Sequence, residues 1–534
     1  MKAVGDLNLG FSDAQNYTLR ENKQMLSDVF VKNTYLENLI KNNIYYLIGE
    51  KGTGKTAYAV YLSNNEYKET KSILKYISGT DYEKFHELKR LNHIDISGYF
   101  DIWKTILYLL IAKSIVDNKS LLPLFTNKKL SDLNAAINEY YKNAFSPEII
   151  HALKIVDKSK IAASLFFKYA KAEGEEESIL ESDEQQLQMN LFYINNKFMD
   201  CFKKLKINKN LVLYIDGIDV RPSQIPYNEY LDCIKGLATA CWSLNTEIFA
   251  NVKDSKGHIK IVLLLRPDIF NSLNLQNATN KLADNSVYLD WRTTYTEYFS
   301  SNLYKMSNKL ILFSQDKQDK QDNDISPKIW EQYFDWKLDS SSEEREFDTA
   351  FMEFLKISLC RPRDIQRILA LLQNLMIEND LGKETKFNID IFKSNQFQNL
   401  YSEYFLSSLK DQLSFYYSEE DYNLFRKFFD YFENPQFSYS EYLSAHQNFY
   451  LYICDNAKEI PQFIENPKEF LQFLYDCNVI TAIEKDRNGK IFFHFAYREK
   501  SPSNIAPKIL YGENILYRFH YGLYKKAKMG NYRY

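Results

Sequence analysis

Ile44-Tyr45-Tyr46-Leu47-Ile48-Gly49-Glu50-Lys51-Gly52-Thr53-Gly54-Lys55-Thr56 is the stretch on which the reading of this chain turns. Five apolar residues of β type run straight into a loop with three glycines, and Ala57-Tyr58-Ala59-Val60-Tyr61 carries on with helical character. Gly49 to Thr56 matches G-x-x-x-x-G-K-[ST] at every fixed position. Glycines let a backbone wrap tightly enough to aim its N–H groups at an anion, and the positive end of the following helix adds to the attraction. An ordinary glycine-rich turn requires neither the strand before it nor the helix after it, so the context favours a phosphate-binding loop.

The expected ligand is ATP with Mg²⁺. Gly49, Glu50, Lys51, Gly52, Thr53 and Gly54 would cradle the phosphates, Lys55 would reach the β- and γ-phosphates, and Thr56 would offer its hydroxyl to the metal. A carboxylate for the same metal should stand at the end of another parallel strand, at the sheet edge where ligands of open α/β sheets bind. Leu211-Val212-Leu213-Tyr214-Ile215-Asp216 supplies it. The position after Asp216, where hydrolytic relatives of this motif often carry a glutamate, is Gly217, so Asp219 is the nearest candidate base or water-positioning group. Two readings follow: Asp219 supports slow hydrolysis, or it is structural and the nucleotide serves as a switch.

Two arginine positions qualify as readers of the γ-phosphate. Arg266 follows Ile261-Val262-Leu263-Leu264-Leu265, and either faces the phosphates or pairs with Asp268. In Cys360-Arg361-Pro362-Arg363-Asp364 a helix begins whose apolar face is Ile365, Ile368, Leu369, Leu372, Leu375 and Met376. Arg363 is the preferred sensor there, against the alternative of plain surface charge at a helix end.

Working outward, residues 1–42 form a preamble with helical spacing in Leu26, Val29, Phe30, Tyr35, Leu36 and Leu39. Strands are expected at Ile44–Ile48, Ser72–Ile77, Leu211–Ile215, Ile259–Leu265 and Ser286–Leu289, separated by helical segments, which implies a parallel sheet with helices on both faces. The core would span 43–310, with a helical insertion over about 100–208 carrying the acidic run Glu173 to Glu177, read as solvated. The low-complexity stretch Gln315 to Asp322 separates it from a helical lid over 326–400. From 415 to 534 the helical stretches Asp421–Phe432, Ser438–Ala445 and Pro467–Asp476 precede β runs Val479–Glu484 and Lys490–Tyr497. The two runs are joined at Asn488-Gly489, in the order of a winged helix. A basic, aromatic tail follows: Tyr517, Arg518, His520, Tyr521, Tyr524, Lys525, Lys526, Lys528 and Arg533. Lysines on phosphates and tyrosines on bases would suit nucleic acid, although Pro467–Asp476 offers no arginine for guanine.

The chain of 534 residues exceeds a single core, at roughly 150 residues per domain. It is 45% hydrophobic and 26% charged, a globular balance, and its net charge of -3 excludes a global polyanion binder. Tyr (41) and Phe (37) outnumber Gly (16) and Pro (12), favouring helix over tight turns. Six scattered cysteines without a C-x-x-C pair fit reduced thiols in the cytoplasm rather than zinc or disulfides. Seven histidines show no metal spacing. The N-terminus lacks a signal peptide's apolar core, and Ile106 to Ala112 falls short of the ~18 residues of a membrane span, so no membrane partner is expected.

With these pieces placed, the chain resembles the AAA+ and STAND side of the P-loop NTPases. More narrowly, it resembles bacterial P-loop ATPases found beside mobile-element and phage-defence genes. The matching residues are Gly10 to Ala14, Ile48 to Thr56, Asp216 to Asp219, Leu265 to Asp268, Leu289 to Arg292 and Arg361 to Asp364, across about residues 9 to 375. The resemblance implies a sheet in the order 5-1-4-3-2, a helical lid, a sensor arginine at Arg363, and ATPase activity used in antiviral defence. It also implies a homo-oligomer or an effector-protein partner, with an arginine finger from a neighbouring subunit. A DNA-binding loader using the winged helix and a non-hydrolysing ATP-bound scaffold are the alternatives. Gly217 departs from the AAA+ acid pair, which argues against vigorous motor activity.

Overall fold

A computed structural model describes residues 1–77, 96–123, 127–143, 184–222, 225–315, 329–339, 347–457, 460–485, 489–512 and 514–524. The acidic run Glu173 to Glu177, the stretch Asp316 to Asp322, Asn488 and the basic residues Lys525, Lys526, Lys528 and Arg533 lie outside them. The chain divides into two compact units, one of Thr34–Gly49 and Lys55–Tyr288, the other of Met1–Asn33, Glu50–Gly54 and Leu289–Tyr534.

The first unit is an α/β fold around five parallel strands: β1 (Tyr46–Ile48), β2 (Thr70–Tyr76), β3 (Asn210–Asp216), β4 (Ile259–Leu265) and β5 (Ser286–Tyr288). Their order is β2-β3-β4-β1-β5, which read from the other edge is 5-1-4-3-2. Every residue of β4, and all of β3 but its first, is buried, as expected for a sheet covered on both faces. In register, Ile48 stands beside Leu265 and Tyr288, and Tyr76 beside Asp216. β1, β3 and β4 therefore end at the same edge.

Helix α1 (Thr34–Leu39) precedes β1 and α2 (Lys55–Asn64) follows the glycine loop. The described part of the insertion is helical: α3 (Ile96–Asp117), α4 (Asn127–Asn143) and α5 (Glu184–Lys204) pack on one another. α3 also packs on α6 (Tyr227–Ser243), where the Trp103 indole donates to the Cys233 carbonyl at 3.1 Å. Apolar residues ring α3 because both sides are covered: Trp103, Ile106, Leu107, Tyr108, Leu109, Leu110 and Ile111 are all buried. α7 (Pro267–Ser272) begins one residue after β4.

The second unit takes in most of the expected preamble. Val4 and Gly5 donate backbone hydrogen bonds to Glu384 and Gly382, and the Gln373 amide donates to the Val4 and Leu7 carbonyls at 2.8 and 2.7 Å. The preamble therefore divides at Asn33, and its first part belongs to this unit. Helices α8 (Asn302–Ser314), α9 (Ala350–Ile357) and α10 (Pro362–Glu378) surround an aromatic core of Tyr304, Trp330, Phe334, Phe351 and Phe354. A two-stranded ribbon, β6 (Leu338–Asp339) with β7 (Phe347–Asp348), and α11 (Asn395–Leu413) follow in the same unit.

In the C-terminal region α12 (Glu419–Phe425) leads to β8 (Gln436–Ser438), α13 (Tyr439–Asn456) and α14 (Pro467–Asp476). Ser418 and Ser438 close capping boxes on α12 and α13, which accounts for where those helices begin. β9 (Ile480–Lys485) and β10 (Ile491–His494) form the expected antiparallel pair, with Gly489 at φ +82° in the turn. Ala496 and Tyr497, expected at the end of a strand, instead open the short helix α15 (Ala496–Glu499). The tail also departs from expectation: Ile515–Phe519 is a strand, β11, inserted between β9 and β8 in the antiparallel order β10-β9-β11-β8. Ile515, Tyr517 and Phe519 alternate into the core, and Tyr517 and Phe519 have no exposed surface. Burial of that alternate face, rather than attraction to an anion, explains these aromatic residues.

Candidate functional site

In the sheet unit, β1 ends at the glycine loop and α2 starts at Lys55, so the strand and helix that hold the loop's two ends are both present. Gly49 N–H donates to the Leu265 carbonyl at 3.1 Å, continuing the β1–β4 ladder to the edge of the loop. The Lys55 ammonium is buried and donates to the Gly49 carbonyl at 2.8 Å, closing a ring across six residues. The Thr56 hydroxyl donates to Asp216 Oδ2 at 2.6 Å, and the Gly217 N–H donates to Oδ1 at 2.9 Å.

Asp216 is 5% exposed. Burial pushes its carboxyl above the ordinary range and Asp219 pushes the same way; the Thr56 hydroxyl, the Lys55 ammonium and the Gly217 N–H oppose this without cancelling it. A carboxylate in that position gains from a cation. One hydroxyl and one carboxylate oxygen are hard donors that suit Mg²⁺, which takes few protein ligands and fills its octahedron with phosphate oxygens and water. No group of three or more His, Cys, Asp or Glu side chains able to hold a metal occurs among the described residues, and a site of this kind does not require one.

Gly217 has a steric cause. Its φ is +90°, and a Cβ there would stand 2.2 Å from the Ile77 carbonyl oxygen, because Ile77 N–H is tied to the Asp216 carbonyl at 2.9 Å. No carboxylate-bearing residue fits that position with the backbone as it stands. Asp219 lies in the turn beyond, half-buried.

Arg266 is fully buried beside Asp268: Nε donates to Oδ1 at 3.0 Å, and Nη2 pairs with Oδ2. Of its two expected roles, the structure displays the ion pair, which holds the guanidinium at the start of α7.

In the second unit, Glu50–Gly54 is held from outside along its length. Glu50 Oε1 accepts from the Lys500 ammonium at 2.9 Å, and the Lys51 ammonium meets Asp411 at 3.0 Å. Three successive carbonyls are also occupied: Lys51 O accepts from Arg361 Nη1 at 2.9 Å, Gly52 O from the Arg363 N–H at 3.3 Å, and Thr53 O from the Trp291 indole at 2.8 Å. Arg363, the expected sensor, thus meets the loop through its backbone. Arg361 meets it through its guanidinium, which also forks onto Asp364 with both distances 2.9 Å. Burial pushes the Asp364 carboxyl up, but Arg361, the Tyr404 hydroxyl and the Leu359 N–H outweigh it and hold it below the usual range.

Trp291, Lys500 and Asp411 were given no role from sequence. Arg361 had a visible signal in Asp364 three residues on; Lys500 had none, since 450 residues separate it from Glu50.

Among the described residues, the C-terminal candidates for nucleic-acid contact are largely committed elsewhere. Gln472 of α14 donates to the Pro507 carbonyl at 3.0 Å and accepts from the Ile509 N–H at 3.0 Å, so the segment after α15 lies along that helix. Arg518 stacks on Tyr521 and hydrogen-bonds to Tyr521 and Tyr524, and His520 is buried against Phe405. Exposed apolar residues occur instead on the edge strand β10, at Ile491, Phe492 and Phe493.

Comparison with known proteins gives one relative, a transposon gamma-delta 80.3 kDa protein of Escherichia coli (strain K12), 22% identical over 365 residues. The match takes in 66% of this chain and 45% of that protein, so the chain spans less than half the relative's length. No family model matches, and no solved structure matches. Among the described residues, no helix is long and apolar enough to cross a membrane.

Proposed function

We propose that this chain is an ATP-binding P-loop ATPase of the AAA+/STAND-like group, hydrolysing slowly and acting as a nucleotide-dependent switch or regulator. The observation that carries this reading is the hydrogen bond between Thr56 and Asp216, 160 residues apart in sequence. Thr56, which the motif assigns to Mg²⁺, and Asp216, the acid expected at the end of another parallel strand, meet at one edge of a parallel sheet in the order 5-1-4-3-2.

When bound, Mg²⁺ would neutralise charge on the β- and γ-phosphates. The protein's own part is to hold and orient. Lys55 would exchange the Gly49 carbonyl for phosphate oxygens, Thr56 and Asp216 would fix the metal, and Asp219 would position the attacking water. The role in bacterial antiviral defence rests on the resemblance, and a transposon-encoded relative fits a mobile-element setting.

The direct test is calorimetric titration of MgATP. Wild type should bind, Lys55→Ala should not, and Asp219→Asn should bind normally with turnover reduced at least about tenfold. Equal affinity in wild type and Lys55→Ala would sink the nucleotide reading. For the defence role, a Lys55→Ala allele in its native gene neighbourhood should lose protection in a phage plating assay; undiminished protection would count against it.

One observation favours a second reading, the non-hydrolysing scaffold: Gly217 leaves no room for a carboxylate next to Asp216. Tight Lys55-dependent binding with no turnover, with or without added DNA, would select it.

A further inference from the structure

We infer that Trp291 and Arg361 are positioning residues for the phosphate-binding loop, setting the direction of its N–H groups by holding its carbonyls. The inference rests on the nucleotide reading above and goes beyond it, because neither side chain belongs to the glycine-lysine motif.

The argument starts from the peptide bond. It is planar and trans, so the C=O of one residue and the N–H of the next point in opposite directions. Fixing the carbonyls of Lys51, Gly52 and Thr53 therefore fixes the N–H groups of Gly52, Thr53 and Gly54. The structure fixes all three carbonyls from the same unit, through Arg361 Nη1, the Arg363 N–H and the Trp291 indole. The N–H groups of Gly52 and Gly54 then face away from these donors. Both glycines have φ +89°, a conformation in which a loop without external support has many alternatives.

The donors are themselves rigid. Trp291 is 7% exposed, and its indole N–H can only donate, so its hydrogen bond specifies a carbonyl. Arg361 is 6% exposed and pinned by its fork on Asp364, which in turn accepts from Tyr404 and Leu359. Preorganisation of this kind strengthens anion binding because the N–H groups need no reordering when the ligand arrives.

The test uses the full chain and Trp291→Phe, which keeps an aromatic ring and removes the donor. Three quantities are measured: affinity for MgATP, affinity for inorganic tripolyphosphate, and amide hydrogen exchange of residues 50–54 without ligand. The expected result is a loss of about tenfold in both affinities, with faster exchange at Gly52 to Gly54 beyond any accompanying fall in Tm. Equal loss for the two ligands places the effect on the phosphates. Unchanged exchange and unchanged affinities overturn the proposal, as does a fall in Tm alone.

Should Trp291→Phe fail to fold, Arg361→Lys takes its place, since a lysine cannot fork Asp364 and reach Lys51 together; the same outcomes decide. If wild type binds neither ligand, the nucleotide reading fails, and exchange rates in the variant decide separately whether Trp291 orders the loop.

Discussion

The Thr56 hydroxyl donates to the Asp216 carboxylate at 2.6 Å, with the carboxylate buried at the end of the third strand of the sheet. Replacing Thr56 with Val keeps the shape and removes the donor, leaving a buried carboxyl short of one hydrogen bond. The expected cost is ~1–3 kcal/mol in the ligand-free protein. Thermal unfolding of Thr56→Val should therefore show a lower Tm, and under the proposed nucleotide reading the Mg²⁺ dependence of ATP affinity should weaken at the same time. A variant as stable as wild type would mean that the contact contributes nothing to the fold.

Gly217→Ala is expected to destabilise by ~3 kcal/mol or more, because its Cβ would meet the Ile77 carbonyl at 2.2 Å in a left-handed backbone. Gly217→Glu should be at least as damaging and, under the proposed ATPase reading, should not raise turnover. A Gly217→Glu variant as stable as wild type would show that this turn can rearrange.

Arg361 and Arg363 should separate cleanly. Arg361→Ala strands the buried Asp364 carboxylate and should cost ~3–5 kcal/mol. Arg363 is half-buried, its hydrogen bond to the loop comes from its main chain, and Ala keeps the Cβ that lies beside Gly52, so Arg363→Ala should cost less than ~1 kcal/mol. Denaturant unfolding of the two variants measures the difference, and equal costs would contradict the assignment.

Lys260 gives a pH dependence with a definite sign. It is buried on β4, donating to the Leu39 and Lys41 carbonyls at 2.7 and 2.6 Å, and burial lowers its pKa from 10.5 to about 7. Below pH 7 both folded and unfolded chains carry the proton, and the full burial penalty applies. Between pH 7 and 10.5 the unfolded chain binds more protons, so this residue makes stability rise with pH at up to ~1.4 kcal/mol per unit. Lys260→Met should remove that contribution. Matching slopes of unfolding free energy against pH in wild type and variant would exclude it.

The parts of the molecule that were legible in the sequence are those built from neighbours in the chain. The glycine loop, its strand and its helix are contiguous, and the burial of Leu211–Ile215 in β3 and Ile261–Leu265 in β4 writes itself as unbroken apolar runs. Asp216 followed from the same logic, as the acid that ends such a run. The β11 strand was hidden because Tyr517, Arg518 and Tyr521 read equally well as a cationic, aromatic surface; which face was buried depended on its pairing with β8 and β9.

By itself, then, the sequence determined the class of sheet, the loop at Gly49 to Thr56 and the acid at Asp216, since local period and residue chemistry are enough for each. Only the tertiary structure decided that Arg266 pairs with Asp268, that the Arg361 guanidinium hydrogen-bonds to the loop while Arg363 does so through its N–H, and that Gly217 is a steric necessity. Each of these depends on which donor meets which acceptor. Trp291 meets Thr53 across 238 positions and Arg361 meets Lys51 across 310, and at such separations only the folded chain brings the partners together.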